Sequence, residues 1–240
     1  MMSSPRIGIV SYCDRLRTLA HVNHQLYATA NDHVYIFDVA PTESWKFMAK
    51  IEKIGKFLPL FDWLFWIDDD AFIMNRSVRL QSFIDEAPEA TIIMCTSPIR
   101  DGVWTWVSSG NFLIRNTPEA IGFLYEVRRT DLEKVRAWWD SEVYGHFTRG
   151  DQDAMVYLLN THPIYSREGF LAKLPYTAFN SRPEHFTHPR DHFLVHFTGQ
   201  NKRELVQEFA SRFSLPESLT YWNELKSLKG VYRPGEEGSM

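Results

Sequence analysis

The chain alternates between short runs of consecutive apolar residues and longer segments in which apolar residues recur every three or four positions. The short runs predict strands that are covered on both faces, and the longer segments predict amphipathic helices. Strands that alternate with helices favour an α/β fold with a mainly parallel central sheet flanked by helices. The predicted strands are residues 6–11, 34–39, 63–67, 90–95, 111–114 and 192–197, and the predicted helices include 18–31, 44–57 and 202–213.

Two further helices are predicted from signals at their first residues. Thr117 offers a hydroxyl cap and Pro118 suits the first helical position, and we expect that helix to break and restart before Trp138. Asp151 is predicted to cap the next helix, which turns a row of apolar residues inward: Ala154, Met155, Leu158 and Leu159. Residues 162–188 are rich in proline, aromatic residues and histidine without a regular pattern, so we predict a loop there.

The composition indicates an ordinary globular protein, because 44% of the 240 residues are hydrophobic and 23% are charged. We predict a single domain over residues 1–230 and a polar tail with glycine and proline at residues 231–240. The net charge of -4 and the isoelectric point of about 6.1 give no electrostatic drive toward nucleic acid. The sequence therefore predicts no nucleic-acid partner and leaves the oligomeric state open.

Cysteine content and hydrophobic runs bear on the compartment. The 2 cysteines, Cys13 and Cys95, are too few for a disulfide framework or a cysteine-based zinc site, which fits a reducing compartment. No apolar run approaches the roughly 20 residues that span a bilayer, and the first residues lack the apolar centre of a signal peptide. We expect a soluble, cytoplasmic protein, or a protein of the Golgi lumen if the chain is a fragment of an anchored parent. Peripheral membrane or complex association stays open.

Three consecutive aspartates, Asp68, Asp69 and Asp70, follow directly on the apolar strand predicted at residues 63–67. Ligands of an open α/β sheet bind beyond the carboxyl ends of its strands, which is where these side chains are expected. Two carboxylates separated by one residue can both turn toward a divalent cation, which accepts oxygen ligands and relieves their repulsion. The alternative interpretation is a turn whose acids are solvated.

A second group lies at the end of the strand predicted at residues 192–197, in the segment HFTGQNK. His196 can complete the coordination of a divalent metal, Gly199 permits close backbone approach, and Lys202 offers a point charge for a phosphate. A histidine at a strand end is, taken alone, more often a structural residue. The functional interpretation therefore depends on its pairing with the aspartates.

Polar residues also crowd two other predicted boundaries. In RGDQDAM, the residues Asp151, Gln152 and Asp153 open an otherwise apolar helix, and capping with the helix dipole accounts for one acid rather than for all three. In SSGNFLIRN, small residues and a glycine precede a strand, and we interpret residues 108–110 as a hairpin or loop entry.

Taken together, these segments resemble a known family. WIDDDAFIMN is similar to the Asp-x-Asp signature of nucleotide-sugar glycosyltransferases of the GT-A fold. More narrowly, the chain resembles the family of fungal α-galactosyl- and α-mannosyltransferases and plant xyloglucan xylosyltransferases, from about Ile7 to Lys202. Its motifs stand in the family's order: SWK at residues 44–46, then residues 66–75, SGNFLIRN at residues 109–116, QDA at residues 152–154 and HFTG at residues 196–199.

The resemblance implies a fold, an activity and a cofactor. The fold would be a Rossmann-like GT-A domain, and the activity the retaining transfer of a hexose or pentose from a nucleoside-diphosphate sugar to a glycan or other hydroxyl acceptor. The donor would be a UDP-sugar or, as the less favoured choice, GDP-mannose, and the metal Mn²⁺ or Mg²⁺. Both a covalent intermediate and attack on the same face are open as routes to retention.

For the donor and its metal, the resemblance implies roles position by position. Asp70 and His196 would ligate Mn²⁺, and Asp68 would be a further ligand, an outer-sphere group or a contact to the ribose. Lys202 would neutralise the diphosphate, and Lys46 would reach the donor sugar or its phosphate. The other donor-binding positions would be Ser11 and Tyr12, which line the nucleoside pocket, together with Asp69, Ser109, Gly110 and Gly199.

The resemblance also implies a catalytic group. Gln152 would lie near the anomeric carbon on the face opposite the leaving group, Asp153 would hold sugar hydroxyls, and Asp151 completes the group. Two positions depart from the family pattern: Ser108 stands where Asn is usual, and Asp69 is a third acid in place of Ala or Ser. We also consider an aromatic acceptor platform, although core packing is the default for its three candidates: Trp104, Trp106 and Tyr176.

Two other classes of function stay open at the level of sequence. A haloacid-dehalogenase-like phosphatase also places Asp-x-Asp after an apolar strand, but it needs that strand near the N-terminus and a later acidic pair for Mg²⁺. A non-catalytic carbohydrate-binding protein could use the same fold, although it has no reason to keep the metal and phosphate residues together.

Overall fold

The computed structural model describes residues 5–215, except residues 15, 17, 43, 45, 46 and 200. Its strands are β1 (Ile7–Tyr12), β2 (Val34–Asp38), β3 (Trp63–Ile67), β4 (Ala71–Ile73), β5 (Ile92–Cys95), β6 (Ser108–Arg115), β7 (Leu171–Leu174) and β8 (Leu194–His196). Its α-helices are α1 (Ala20–Ala30), α2 (Met48–Phe57), α3 (Leu80–Glu86), α4 (Pro118–Arg129), α5 (Leu132–Trp138), α6 (Ser141–Tyr144), α7 (Asp151–Thr161), α8 (Tyr176–Phe179) and α9 (Lys202–Arg212).

The central sheet has six strands in the order β2-β1-β3-β6-β5-β7. Strands β1, β2 and β3 are parallel to one another, and β5 is parallel to β7. Strand β6 is antiparallel to both of its neighbours, β3 and β5. The predicted α/β fold with a mainly parallel sheet and flanking helices is thereby confirmed.

Strand β3 contributes side chains to a hydrophobic core on each face of the sheet. Leu64 and Trp66 belong to the core that α2, α4 and α7 cover. Phe65 and Ile67 belong to the core that α1, α3 and α8 cover. Full burial of one such side chain is worth about 1.5–3 kcal/mol, which explains why the strand is apolar at every position.

A separate pair of strands fixes the segment that follows β3. Strands β4 and β8 are antiparallel, and their register sets Ala71 opposite His196. Edge-to-face aromatic packing supports the pair, because the ring of Phe197 lies 5.8 Å from that of Phe72 and 5.6 Å from that of Phe209 on α9. The pairing brings the end of β8 to the carboxyl end of β3.

Most predicted elements are present with ends that differ by a few residues. The helix predicted at residues 44–57 begins at Met48. The predicted cap of α4 is also present, because the Thr117 hydroxyl accepts a hydrogen bond from the Ala120 N–H at 3.1 Å. As predicted, the chain breaks after α4 and restarts as α5.

The sequence interpretations of residues 162–188 and of residues 108–110 were wrong. Residues 162–188 contain the edge strand β7, the helix α8 and a 3₁₀ turn at Pro183–His185 in addition to loop. Strand β7 has only four, mostly half-exposed residues, so no apolar run announces it. Residues 108–110 are not a loop entry, because they belong to β6 and are buried there.

Two expectations concern the ends of the chain and the membrane. The tail predicted at residues 231–240 lies outside the described residues, and the single domain over residues 1–230 stays a prediction. Within the described residues, no helix combines the length and apolar character that crossing a bilayer requires.

Candidate active site

Residues 68–70 form the turn between β3 and β4, and backbone hydrogen bonds hold this turn on both sides. The Asp68 N–H donates to the Gly110 carbonyl on β6 at 2.9 Å. The Phe197 N–H, which directly follows β8, donates to the Asp70 carbonyl at 3.0 Å. The acidic turn therefore has a position set by two neighbouring strands.

Asp68, Asp70 and His196 each offer one ligand atom, and these atoms lie within 4.8 Å of one another. The Oδ1 atom of Asp70 lies 3.2 Å from Nε2 of His196, and it is buried without a hydrogen-bond partner among the described residues. The other carboxylate oxygen of Asp70 accepts a hydrogen bond from the Lys202 ammonium. A buried, unpaired carboxylate oxygen is costly, so a bound cation would stabilise this arrangement.

Hydrogen bonds also fix the ring of His196. Its Nδ1 atom lies 3.0 Å from Oδ1 of Asn180, whose amide nitrogen donates to the Thr96 carbonyl at 3.0 Å. The amide nitrogen of Asn111 lies 3.3 Å from the same Nδ1 atom, so Nε2 is the ring nitrogen that faces Asp70. Burial lowers the pKa of His196, with Asp70 acting in the opposite direction. The imidazole is therefore held in the neutral form that binds metals.

The charges around the turn suit a divalent ion. Burial acts to raise the pKa of Asp70, but His196 and Lys202 hold it below its usual range. Burial raises the pKa of Asp68, Lys50 opposes that rise and Asp70 adds to it. The buried Asp70 carboxylate, the half-buried Asp68 carboxylate and a neutral imidazole, with an unpaired oxygen at the centre, form a ligand set that fits Mn²⁺ or Mg²⁺.

Lys202 reaches the turn from the start of α9. Gly199 has a φ of 85°, a left-handed conformation that favours glycine, and it redirects the chain between β8 and α9. Burial acts to lower the pKa of Lys202, but Asp70 acts in the opposite direction, and the pKa is raised above its usual value. The ammonium therefore stays charged. A cation is therefore held beside the candidate metal ligands.

Lys50 is a site residue that the sequence analysis missed. Its Nζ atom lies 3.2 Å from Oδ2 of Asp151 and 3.6 Å from Oδ1 of Asp68, and it donates to the Ser109 carbonyl at 3.0 Å. Burial acts to lower the pKa of Lys50, but the two carboxylates raise it. The predicted donor contact Lys46 lies outside the described residues, whereas Lys50, in the first turn of α2, links the two acidic segments.

The sequence predicted that Asp151 caps α7, and this prediction was wrong. Gly150 is the N-cap, and Asp151 is the first helical residue, buried and paired with Lys50. Gln152 faces the same side, and its Oε1 atom accepts a hydrogen bond from the Ser109 N–H at 3.1 Å. Both side chains are therefore held toward β6.

Asp153 has a different environment from the sugar contact that the resemblance implied. Its carboxylate accepts hydrogen bonds from the Thr148 N–H at 3.1 Å and from the Gly150 N–H at 3.2 Å. The side chain is fully buried, and burial raises its pKa despite these hydrogen bonds. Since the carboxylate is used by the backbone at the helix start, we correct its assignment from substrate contact to local structure.

Gly110 lies directly beneath the imidazole of His196. A Cβ atom at this position would overlap Cε1 of His196 and lie 3.2 Å from Oδ2 of Asp68. The pairing of β5 with β6 is irregular at this level, between Met94 and Cys95, as in a β-bulge. The small residue and the bulge together leave room for the histidine.

A cavity of about 640 Å³ joins these groups. The predicted site residues that line it are Asp68, Asp70, Ser109, Gly110, Asp151, Gln152, His196, Gly199 and Lys202. Lys50 lines it as well. The candidate metal, phosphate and sugar contacts thus surround one continuous space.

Three predicted donor contacts lie outside the lining of this cavity. Ser11 is buried, and its hydroxyl shares a hydrogen bond with that of Tyr35 at 2.6 Å. The ring of Tyr12 packs under the ammonium of Lys53, 5.1 Å from it. Asp69 is likewise not among the residues that line the cavity.

The predicted aromatic platform is reduced to one residue. Trp104 lines the cavity. Trp106 instead carries the Lys173 ammonium over its ring at 4.0 Å, and Tyr176 packs on His185 with ring centroids 4.6 Å apart. Trp106 and Tyr176 therefore serve local packing.

Comparison with known families gives one match. The sequence model of the galactosyl transferase GMA12/MNN10 family matches residues 10–89, a third of the chain. This segment includes the acidic turn and Lys50, whereas His196 and Lys202 lie outside it. No curated protein matches the chain in sequence.

Solved structures show the fold. The crystal structure of a glycosyltransferase involved in the glycosylation of the major capsid of PBCV-1 has a TM-score of 0.62 and 16% sequence identity, over 86% of this chain and 100% of that chain. The glycosyltransferase GlyE of Streptococcus pneumoniae TIGR4 has a TM-score of 0.51 and 14% identity, over 98% of this chain and 66% of that chain. The fold is thus that of the GT-A glycosyltransferases, which does not favour the phosphatase alternative.

Proposed function

We propose that this chain is a metal-dependent, retaining glycosyltransferase that moves a hexose or pentose from a nucleoside-diphosphate sugar to a hydroxyl of a glycan acceptor. The observation that carries the proposal is the convergence of Asp68, Asp70, His196 and Lys202 on one cavity at the carboxyl end of β3. The GT-A fold and the family match support it, and the galactosyl transferase description of that family favours a UDP-sugar over GDP-mannose.

The metal would be Mn²⁺ or Mg²⁺. Asp70, His196 and Asp68 would hold it, since they offer the unpaired carboxylate oxygen and the free imidazole nitrogen described above. When bound, such an ion stabilises the negative charge that develops on a diphosphate leaving group.

Lys202 serves the diphosphate. Its ammonium is already turned into the cavity by Asp70 and carries a charge that burial does not remove. A cation that is in place before the reaction needs no reorganisation when the sugar–phosphate bond breaks, so it stabilises the transition state more than the bound donor.

Asp151 and Gln152 serve the sugar. As the bond to phosphate breaks, the sugar becomes oxocarbenium-like, and a carboxylate or amide oxygen on the opposite face stabilises it. Lys50 holds the Asp151 carboxylate in position, 3.2 Å from its ammonium. Retention follows from a covalent intermediate or from same-face attack by the acceptor.

The test measures release of nucleoside diphosphate from UDP-galactose, UDP-glucose, UDP-xylose and GDP-mannose, with Mn²⁺ and with EDTA. Asp70→Asn and Lys202→Gln should each lower turnover at least about 100-fold, because the first removes a carboxylate ligand of the metal and the second removes the cation that stabilises the developing diphosphate. Asp85→Asn is the matched control, since Asp85 is an exposed carboxylate on α3. The anomeric configuration of the product, read by NMR, tests retention.

Thermal unfolding with UDP or GDP and Mn²⁺ gives a readout that needs no turnover, since a ligand that binds the native state raises the melting temperature. Stabilisation without turnover of any donor would indicate the non-catalytic binding protein. Full activity of both site variants in the presence of metal would refute the proposed site.

A further inference from the structure

Arg182 is a buried guanidinium in the wall of the cavity that none of the roles above uses. The residue is 6% exposed, and its Nη1 group donates to the carbonyl of Asn180 at 2.9 Å and to its Oδ1 at 2.8 Å. Arginine has five N–H donors on three nitrogens. Only Nη1 is hydrogen-bonded, and Nε and Nη2 have no acceptor among the described residues. These nitrogens are not sealed from solvent, and Arg182 lines the cavity, so its free donors are available to a ligand.

The guanidinium of Arg182 also lacks a close ion-pair partner among the described residues. No carboxylate of the described residues lies within 4.0 Å of its guanidinium. Burial lowers its pKa to about 10, with Asp70 and Glu184 acting in the opposite direction, so it is charged at neutral pH. A buried cation without an ion-pair partner is costly, unless a ligand supplies the opposite charge.

The position of Arg182 separates it from the nucleotide half of the sheet. Asn180, to which it is bonded, donates to the carbonyl of Thr96, the residue that directly follows β5. In the order β2-β1-β3-β6-β5-β7, the parallel strands β1–β3 are the Rossmann-like half, and β5 lies beyond β6 on the other side of the metal ligands. Arg182 therefore lines the cavity on the β5 side, away from the Rossmann-like strands, and this is the side that we assign to the acceptor.

A second guanidinium lies on the same wall. Arg100, in the connection between β5 and β6, lines the cavity and is close enough to contribute to the lowered pKa of Arg182. Its side chain is 43% exposed, and its contacts with Asp101 and Glu184 are both 3.9 Å long. Exposed pairs of this length contribute little, so Arg100 has charge to offer a ligand.

The cationic surface continues outward. An adjoining cavity of about 510 Å³ shares His146 and Thr148 with the first and adds Arg136 and Arg149. Its described lining contains no acidic residue, and Trp139 contributes an aromatic surface. A chain that enters along this path meets arginines repeatedly, which suits an acceptor with more than one negative charge.

We propose that the acceptor is an acidic glycan, and that Arg182, assisted by Arg100, binds a carboxylate or phosphate ester on it. This deepens the function proposed above and depends on it. Guanidinium groups pair bidentately with both kinds of anion, which share this chemistry. The competing interpretation is structural: Arg182 holds Asn180, and Asn180 holds His196.

The test titrates wild-type protein, in the presence of Mn²⁺ and UDP, with three sets of oligosaccharides: uronate-containing, phosphorylated and neutral counterparts. At least one acidic set should bind about tenfold tighter than its neutral counterpart, and comparison of the two acidic sets identifies the anion. Arg182→Gln and Arg100→Gln should each weaken binding of that set about tenfold, the value of a lost charge-assisted hydrogen bond. Arg182→Lys should restore part of it, and Arg190→Gln, an exposed arginine outside both cavities, should have no effect.

Binding of Mn²⁺ and UDP, followed separately, distinguishes the alternatives. If Arg182→Gln weakens UDP and Mn²⁺ binding equally with glycan binding, the residue supports His196 or the donor, and the proposal is wrong. Arg100 is exposed, so Arg100→Gln does not endanger folding. If wild type binds acidic and neutral oligosaccharides equally, and Arg100→Gln does the same, the proposal is also wrong. Release of nucleoside diphosphate from the donor is measured in parallel. If release occurs but acidic glycans bind no tighter than neutral ones, the acceptor proposal is wrong and the transferase proposal stands.

Discussion

The cavity and the layer of residues behind its acidic turn use polar groups in opposite ways. Behind the turn, neutral groups form a chain of hydrogen bonds. The hydroxyl of Tyr35 lies 2.6 Å from the hydroxyl of Ser11 and 3.3 Å from Nδ1 of His24. The other ring nitrogen of His24, Nε2, lies 2.8 Å from the Ala71 carbonyl. In the cavity, charged groups face one another, and Oδ1 of Asp70 is left without a hydrogen bond among the described residues.

This difference separates positioning from ligand binding. A neutral hydrogen bond contributes about 1 kcal/mol, and its loss is felt mainly where a partner stays buried. A buried ion pair contributes little over apolar packing, yet removal of one partner costs about 3–5 kcal/mol because the other charge is left uncompensated. The neutral layer should therefore tolerate substitution better than the cavity.

The largest effect is expected for Lys50→Met, which removes the cation between Asp151 and Asp68. We expect the free energy of unfolding to fall by about 3–5 kcal/mol, because the buried Asp151 carboxylate and the half-buried Asp68 carboxylate both lose their shared partner. Urea unfolding at pH 7 measures the change, and nucleotide release should fall with it.

Lys56→Met on the same helix is the control for Lys50→Met. Its side chain is 55% exposed, and its partner Asp38 keeps Lys53 at 3.3 Å. We expect a change below about 1 kcal/mol. If the two variants lose equal stability, the charge of Lys50 does not stabilise Asp151 and Asp68 in the folded protein. The contrast between the cavity and the neutral layer would then be wrong.

A smaller effect is expected for Gly110→Ala, which tests the geometry of the charged side. The added methyl group would displace the imidazole of His196, and overpacking of this kind costs about 1–3 kcal/mol. Mn²⁺ affinity, measured by calorimetric titration, should fall about 10- to 100-fold, as when the support of a metal ligand is disturbed.

Gly55→Ala provides the matched substitution for Gly110→Ala. A Cβ atom at Gly55 meets nothing within 4 Å, and the residue lies within α2, so alanine should stabilise the protein by about 0.5–1 kcal/mol. Mn²⁺ affinity should not change. Unaltered Mn²⁺ binding by Gly110→Ala would show that His196 has room to move or does not bind the ion.

The fold and half of the site could be predicted because the signals are local. Apolar runs identify buried strands. Acidic residues that directly follow such a run, as Asp68 and Asp70 do, have no explanation in core packing and therefore indicate a binding site. Lys50 and Arg182 could not be found in this way, since their burial depends on partners in distant segments. Strand β7 was missed because its half-exposed residues carry no continuous pattern.

The start of α7 shows how a small error in an element boundary exchanges roles. Successive side chains on a helix differ in direction by about 100°, so a one-residue shift of the cap changes which acid faces the cavity. The cap is Gly150, one residue before the predicted Asp151. As a result, Asp153 reaches back to the helix start and Asp151 meets Lys50.

The smallest expected effect concerns the neutral layer and its dependence on pH. Burial lowers the pKa of His24 to about 4; its hydrogen bond with the Ala71 carbonyl opposes this, and His21 adds to it. An unfolded histidine titrates near about 6.5, so between pH 6.5 and 4 the unfolded state takes up a proton that the folded state does not. The stability from neutral His24 is therefore complete above pH 6.5 and falls as the pH falls, by at most about 2 kcal/mol at pH 5.

His24→Gln removes this titration and keeps an amide donor for the Ala71 carbonyl. Its stability should be lower than that of wild type at pH 7, and the difference should shrink by at most about 2 kcal/mol at pH 5, because only wild type loses the His24 contribution. Urea unfolding at the two pH values measures this difference. A difference that is the same at both pH values would mean that His24 titrates normally in the folded protein. The layer behind the turn would then carry charge at low pH, and the contrast with the cavity would be one of degree.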